Sequence, residues 1–155
     1  MGSEMCIRDR TDAAPLNHLI AEVIAAAPDT RCFRDPTRGG LASTLNELAA
    51  QSGVDFIVEE GAVPVKDAVL GACEMLGYDV YQVANEGKMV CVVPAEQAEA
   101  ALAAMRANKY GADAAIIGEV VETPEERDPR VSIRTGFGAL RIMDMLVGEQ
   151  LPRIC

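Results

Sequence analysis

The chain ends on a thiol. Leu151-Pro152-Arg153-Ile154-Cys155 closes the sequence, and a cysteine at the end of a tail is a nucleophile with no wall around it. Such a thiol can accept an acyl group from one protein and present it at the active site of another, dividing one hard reaction into easier steps. Pro152 restricts the backbone and stops a helix from continuing. Arg153 places a cation two residues from the sulfur, which favours the thiolate, while the terminal carboxylate opposes it. The plain alternative is an incidental terminal cysteine.

Two further groups have types and spacing that suit chemistry. In Arg34-Asp35-Pro36-Thr37-Arg38-Gly39-Gly40 the paired glycines let a backbone come close to a ligand. The helix expected after Gly40 would present N–H groups carrying partial positive charge. Phosphate or a developing oxyanion binds at such a place, and Arg38 adds a charge-assisted contact. A glycine-containing cap, with Asp35 bonding nearby amides, explains the same residues without a ligand. The second group is Asn85-Glu86-Gly87-Lys88. Glu86 can act as a general base where a substrate proton lies in reach, and Lys88 can pair with Glu86 or with a phosphate. A polar solvent-facing turn is the competing account.

These residues need elements to hold them. The spacing of Leu16, Leu19, Ile20, Val23 and Ile24 predicts a helix over Ala14 to Ala26, with Pro15 tolerated in its first turn. Arg31 to Arg34 reads as a short extended run before the Asp35-Pro36 break. A second helix starts at Gly40 and ends near Gly53, followed by a strand over Val54 to Val58 and a third helix over Lys66 to Leu76. Gln82 to Ala84 and Lys88 to Val93 flank the Asn85-Glu86-Gly87 turn as a hairpin would. Ala95 to Ala107 is a helix, and Ala115 to Glu122, Arg130 to Arg134 and Ala139 to Met143 read as strands. Four helices mixed with about six strands in this irregular order imply a two-layer α/β domain, with a mixed β-sheet covered by helices.

The bulk properties limit the partners. With 14 Lys and Arg against 24 Asp and Glu, the formal charge is -10. That argues against the clustered cations that nucleic-acid backbones require, so nucleic acid is not an expected partner. No run of apolar residues is long enough for a membrane span, and membrane is not expected either. Cys6, Cys32, Cys73, Cys91 and Cys155 include no CxxC pair, so neither a zinc site nor a disulfide framework is supported, and a reducing cytoplasm is the simpler setting. No metal site is expected in the chain itself. Cys32, Cys73 and Cys91 lie in apolar segments and read as small core residues. His18 reads as a surface residue, and the acids from Glu122 to Asp128 as a solvated loop. Met5-Cys6-Ile7-Arg8-Asp9-Arg10 is similar to translated adapter sequence, so residues 1–10 are expected to be a non-native or disordered leader. Residues 11–146 are then the domain, and 147–155 a flexible tail ending in the acceptor cysteine.

Taken together, Asp35-Pro36-Thr37-Arg38-Gly39-Gly40, Asn85-Glu86-Gly87 and the terminal Leu-Pro-Arg-Ile-Cys resemble the carboxy-terminal part of the HypE family of hydrogenase maturation proteins. The resemblance runs from Thr11 to Cys155. It implies the fold of the carboxy-terminal domain of the AIR synthase-related (PurM-like) superfamily. It also implies an ATP-dependent carbamoyl dehydratase that turns an S-carbamoyl group on Cys155 into thiocyanate, the source of a cyanide ligand for a nickel-iron hydrogenase. Glu86 is then the base or proton relay. Asp35, Thr37, Arg38, Gly39, Gly40, Asn85, Gly87 and Lys88 form the substrate and nucleotide surface, and Pro152 and Arg153 position the tail. ATP with Mg2+ is the implied cofactor, bound mainly by an amino-terminal domain that this chain has no room for, so the chain alone is expected to be inactive. The implied partners are a HypF-type carbamoyltransferase and the HypC–HypD iron scaffold, with a homodimer in the complete protein. A phosphotransferase of the same superfamily would explain the glycine loop but not Cys155, and a non-catalytic docking module would explain the acidic surface.

Overall fold

A computed structural model of the chain describes residues 13–145. Helix α1, Asn17–Ala26, buries Leu19 and Val23, one turn apart on a single face. Strand β1, Cys32–Arg34, leads through the Asp35–Gly39 loop into α2, Gly40–Ser52. Helix α2 is bracketed by two left-handed glycines, Gly39 at φ 71° before it and Gly53 at φ 69° after it. There follow β2, Val54–Glu59, α3, Asp67–Leu76, β3, Val90–Val92, and α4, Ala98–Ala107. Strands β4, Gly118–Glu122, β5, Val131–Arg134, and β6, Leu140–Ile142, complete the described part. Single 3-10 turns form at Glu60–Ala62, Val80–Gln82 and Ala95–Gln97.

Four strands make the larger sheet, in the order β4-β2-β5-β6. Strand β2 runs antiparallel to β4 and parallel to β5, and β5 runs antiparallel to β6. The sheet is therefore mixed. Alternation puts Phe56, Val58, Val131 and Ile133 on one face, where Ala42, Leu45 and Ala49 of α2 cover them. Tyr81 and Met143 close this core from the side. On the other face of the sheet Leu140 and Ile142 remain exposed.

Strands β1 and β3 form a separate two-stranded antiparallel sheet, with Phe33 opposite Cys91. Phe33, Met89, Cys91 and Val93 pack on a second core made by Leu19, Val23, Ala27 and Ala101 of α1, its end and α4. The result is two helix-on-sheet layers joined through α2 and its flanking loops, a two-layer mixed α/β fold. Among the described residues no helix is long and apolar enough to cross a membrane.

The hairpin expected around Asn85-Glu86-Gly87 does not form. Residues before the turn lie in the Val80–Gln82 3-10 turn, and β3 pairs with β1 instead. The physical reason is that the turn is bonded elsewhere. The Asn85 N–H donates to the Pro36 carbonyl at 3.0 Å, and Asn85 Nδ2 donates to the Val83 carbonyl at 2.8 Å. Residues 83–88 are thus held against the Asp35–Gly39 loop, and Arg34, Phe33 and Cys32 supply β3 with its ladder.

Candidate functional site

The site begins at the entry to α2. Gly39 and Gly40 both have positive φ, at 71° and 60°, a region that costs an L side chain energy. Gly39, the residue in the capping position, has no side chain to cap the 13-residue helix, so its first amides lack the usual N-cap acceptor. Asp35 and Arg38 are exposed, Thr37 is half-buried, and Pro36, Gly39 and Gly40 are buried. Three contacts fix the loop. Thr44 Oγ1 donates to the Asp35 carbonyl at 3.4 Å, the Gly40 N–H donates to the Thr37 carbonyl at 3.4 Å, and Arg34 pairs with Glu47 at 2.5 Å.

The second motif sits directly against the first. A Cβ on Gly40 would lie 2.5 Å from the Val83 carbonyl oxygen and 2.6 Å from that of Tyr81. Gly40 is glycine because α2 begins in contact with the backbone that leads into Asn85. The close approach that the paired glycines permit is made here to the chain's own backbone. Beyond this contact the Asn85–Pro36 hydrogen bond joins the two loops. Gly87 takes φ 63° at the bend, Glu86 and Lys88 are exposed, and Lys88 Nζ donates to Asn85 Oδ1 at 3.0 Å. The structure therefore gathers Asp35, Thr37, Arg38, Gly39, Gly40, Asn85, Glu86, Gly87 and Lys88 at one edge of the molecule. Cys155, Pro152 and Arg153 lie outside the described residues.

At this edge the side chains of Asp35, Arg38, Glu86 and Lys88 are exposed. A groove of about 360 Å³ lies elsewhere, between the two sheets, lined by Arg31, Cys32, Leu48, Val54, Phe56 and Val92 among others. The uncapped helix start, the guanidinium of Arg38 and the ammonium of Lys88 suit a nucleotide's phosphate oxygens. No group of three or more His, Cys, Asp or Glu side chains among the described residues is placed to hold a metal ion.

Sequence reasoning missed the residues that tie the end of the described chain to this edge. Met143 is buried, its N–H donates to the Val131 carbonyl at 2.9 Å, and its carbonyl accepts from Asn46 Nδ2 at 2.7 Å. Gln82 Nε2 donates to the Asp144 carbonyl at 3.5 Å. An asparagine in mid-helix is the one signal that was available, because its amide competes for backbone partners and is neutral to unfavourable there.

A second unread feature is a buried carboxylate in β2. Asp55 is 5% exposed and receives Arg127, the Thr123 hydroxyl at 2.9 Å and the Arg130 N–H at 3.0 Å. The Arg127 hydrogen bonds, helped by those from Arg130 and Thr123, hold its pKa well below the usual carboxylate range against the opposing effect of burial. The segment from Glu122 to Asp128 is thus anchored through Arg127. Among the cysteines, Cys73 is buried, while Cys32 and Cys91 are half-buried. Burial, reinforced by the neighbouring Cys32, pushes the Cys91 thiol up to about 11, so it is protonated and inert at neutral pH. His18 is exposed.

A profile of the family described as "AIR synthase related protein, C-terminal domain" matches residues 4–128. The chain belongs to this family. It is 54% identical over 145 residues to the carbamoyl dehydratase HypE of Rhodobacter capsulatus, an alignment covering 94% of this chain and 42% of that protein. Among solved structures, the hydrogenase maturation protein HypE in complex with ATP superposes with a TM-score of 0.84 at 45% identity, covering 94% of this chain and 44% of that one. A HypE–HypF complex superposes with a TM-score of 0.81 at 40% identity, covering 93% of this chain and 47% of that one. The chain spans less than half the length of the curated relatives it matches. The resemblance read from the two loops and the terminal cysteine therefore stands, and the fold it implied is the fold observed.

Proposed function

We propose that the chain is the carboxy-terminal part of an S-carbamoyl dehydratase that makes the cyanide ligand of a nickel-iron hydrogenase. Its 54% identity to a carbamoyl dehydratase supports the reaction class. The observation that carries the site is the Asn85–Pro36 hydrogen bond, which places Glu86 beside the Asp35–Gly40 loop.

In this reading Cys155 holds the carbamoyl group as a thiocarbamate, received from a HypF-type carbamoyltransferase. The carbamoyl oxygen is a poor leaving group, and ATP with Mg2+ supplies the phosphoryl group that makes it a good one. Arg38, Lys88 and the start of α2 meet phosphate oxygens and hold them in register with the thiocarbamate. Phosphorylation of the oxygen releases ADP and one N–H proton and leaves an imidate; Glu86 then takes the remaining N–H proton at its carboxylate as the carbon–oxygen bond breaks and phosphate departs, leaving a carbon–nitrogen triple bond on the sulfur of Cys155. Gly39, Gly40 and Gly87 give the backbone its shape, Asp35, Thr37 and Asn85 fix the loops, and Pro152 and Arg153 set the approach of the tail. The cyano group then passes as cyanide to iron on a HypC–HypD scaffold, a step in which a two-electron reductant on the scaffold side cleaves the sulfur–carbon bond and returns Cys155 as its thiolate. Most of the ATP and Mg2+ contacts belong to an amino-terminal domain, the complete protein is a cytoplasmic homodimer, and the chain alone is inactive.

The test is the mass of Cys155. Incubation of the complete protein with carbamoyl phosphate, the carbamoyltransferase and ATP should yield first a carbamoyl and then a cyano adduct on this residue. A protein that phosphorylates another acceptor and leaves Cys155 unmodified would be a different enzyme of the superfamily.

A further inference from the structure

Ser43 and Thr44 are neighbours in the first turns of α2, and both are buried, at 7% and 3% exposure. Their hydroxyls differ. Thr44 Oγ1 donates to the Asp35 carbonyl, whereas the Ser43 hydroxyl has no hydrogen-bond partner among the described residues. A serine hydroxyl inside a helix ordinarily bonds a carbonyl one turn back. At Ser43 only the backbone N–H does so, donating to the Gly39 carbonyl at 3.1 Å. No side-chain oxygen or nitrogen that is sealed from solvent lacks a partner among the described residues. The unpaired Ser43 oxygen is therefore not sealed, and its neighbour shows where it opens. A Cβ on Gly39 would collide with Ser43 Oγ, so the hydroxyl occupies the place that a side chain in the capping position of α2 would take.

We infer that Ser43 is a phosphate-binding residue, whose hydroxyl donates to a phosphate oxygen of the nucleotide at the start of α2. The inference rests on the nucleotide-binding part of the reading above. A buried hydroxyl without a partner costs the free protein stability, and a ligand that accepts from it removes that cost. The place selects an anion. The first amides of α2 carry partial positive charge and lack an N-cap acceptor, and the exposed guanidinium of Arg38 belongs to the same loop. A hydroxyl donates to a phosphate oxygen without adding charge, and such a bond to a charged acceptor is stronger than one between neutral groups. Gly39 then has two reasons to be glycine, its φ of 71° and the room it leaves for this hydroxyl.

The experiment compares the complete unsubstituted protein with Ser43→Ala and Ser43→Cys. Calorimetry with Mg2+ present gives the affinity for ATP, displacement of ATP gives that for inorganic tripolyphosphate, and urea gives the unfolding midpoint without ligand. Ser43→Ala should weaken ATP and tripolyphosphate alike, by about tenfold or more. Its midpoint should not fall, because the substitution removes an unpaired polar group and alanine is the better helix former. Ser43→Cys keeps the shape with a weaker donor, should lose affinity in the same direction, and carries the test if Ser43→Ala does not fold. Unchanged ATP affinity in both variants would overturn the inference. So would a midpoint that falls along with the affinity, since the hydroxyl would then support the fold. A loss seen with ATP but not with tripolyphosphate would overturn it too, by assigning Ser43 to the sugar or base. None of these readings involves Cys155. A protein that binds ATP through Ser43 yet never converts Cys155 would end the dehydratase reading and leave this inference standing.

Discussion

Gly40 and Glu86 show how differently two residues of one edge are constrained. Gly40 is fixed by sterics, since a Cβ would strike the carbonyl oxygens of Val83 and Tyr81 and φ is 60°. Gly40→Ala should lower unfolding stability by at least about 1–2 kcal/mol from the left-handed backbone alone, read as a reduced urea midpoint with an unchanged slope. A midpoint equal to the unsubstituted protein's would mean that α2 can back away from the 81–83 backbone at little cost. Glu86 is exposed on a bend, so its replacement should spare the fold. In the complete protein Glu86→Gln keeps the shape and removes the base. Cys155 should still be carbamoylated, while thiocyanate formation slows on the order of a hundredfold or more. Dehydration at the usual rate would make Glu86 an ordinary turn residue.

At the scale of elements, sequence pattern gave most of the skeleton because most elements have strong local signals. Helix α2 is bounded by glycines that adopt positive φ and is legible within a residue, and α4 is rich in alanine and legible apart from its first three residues, which form the Ala95–Gln97 3-10 turn. The β1–β3 pairing was not legible. Each strand has three residues, too few to announce a partner, and the Asn-Glu-Gly turn looked like a hairpin because its bond to Pro36 is a tertiary one. The same blindness hid the Asp55 anchor, whose partner Arg127 sits among acids in a segment that reads as solvated. That anchor has a pH signature. The Asp55 carboxyl is held below its ordinary value of about 3.9, chiefly by Arg127. Its stabilisation is therefore complete above that value and is lost as the pH falls through the lower folded value. Asp55→Asn should be less stable than the unsubstituted protein at pH 7, and the gap should close as the pH drops below about 4. Urea midpoints measured across this range test the sign. A gap that stays constant into acid would mean that shape and hydrogen bonding, not charge, hold the segment.

At the scale of the whole molecule, the candidate site presents exposed charged side chains, Asp35, Arg38, Glu86 and Lys88. The motifs meet through Gly40 and Asn85, so the spacing in the sequence did mark residues that the fold brings together. Among the described residues, the groups there that suit a nucleotide's phosphates are one helix start, Arg38 and Lys88. A nucleotide bound only by its phosphates leaves its base and sugar in water and forgoes most of the burial that ligand sites depend on. The curated relatives it matches are more than twice as long, and one solved relative is a complex with ATP. The 155-residue chain should accordingly bind ATP at best weakly, with a dissociation constant on the order of 1 mM, worth only about 4 kcal/mol. The complete protein should bind far more tightly. Raising salt should weaken the residual binding further, because exposed cations are screened within about 10 Å at 0.1 M ionic strength. Titration calorimetry of both proteins at two salt concentrations decides the matter. Micromolar, salt-insensitive affinity in the 155-residue chain would mean that this half holds a complete nucleotide pocket, and the division of labour between the two halves would have to be redrawn.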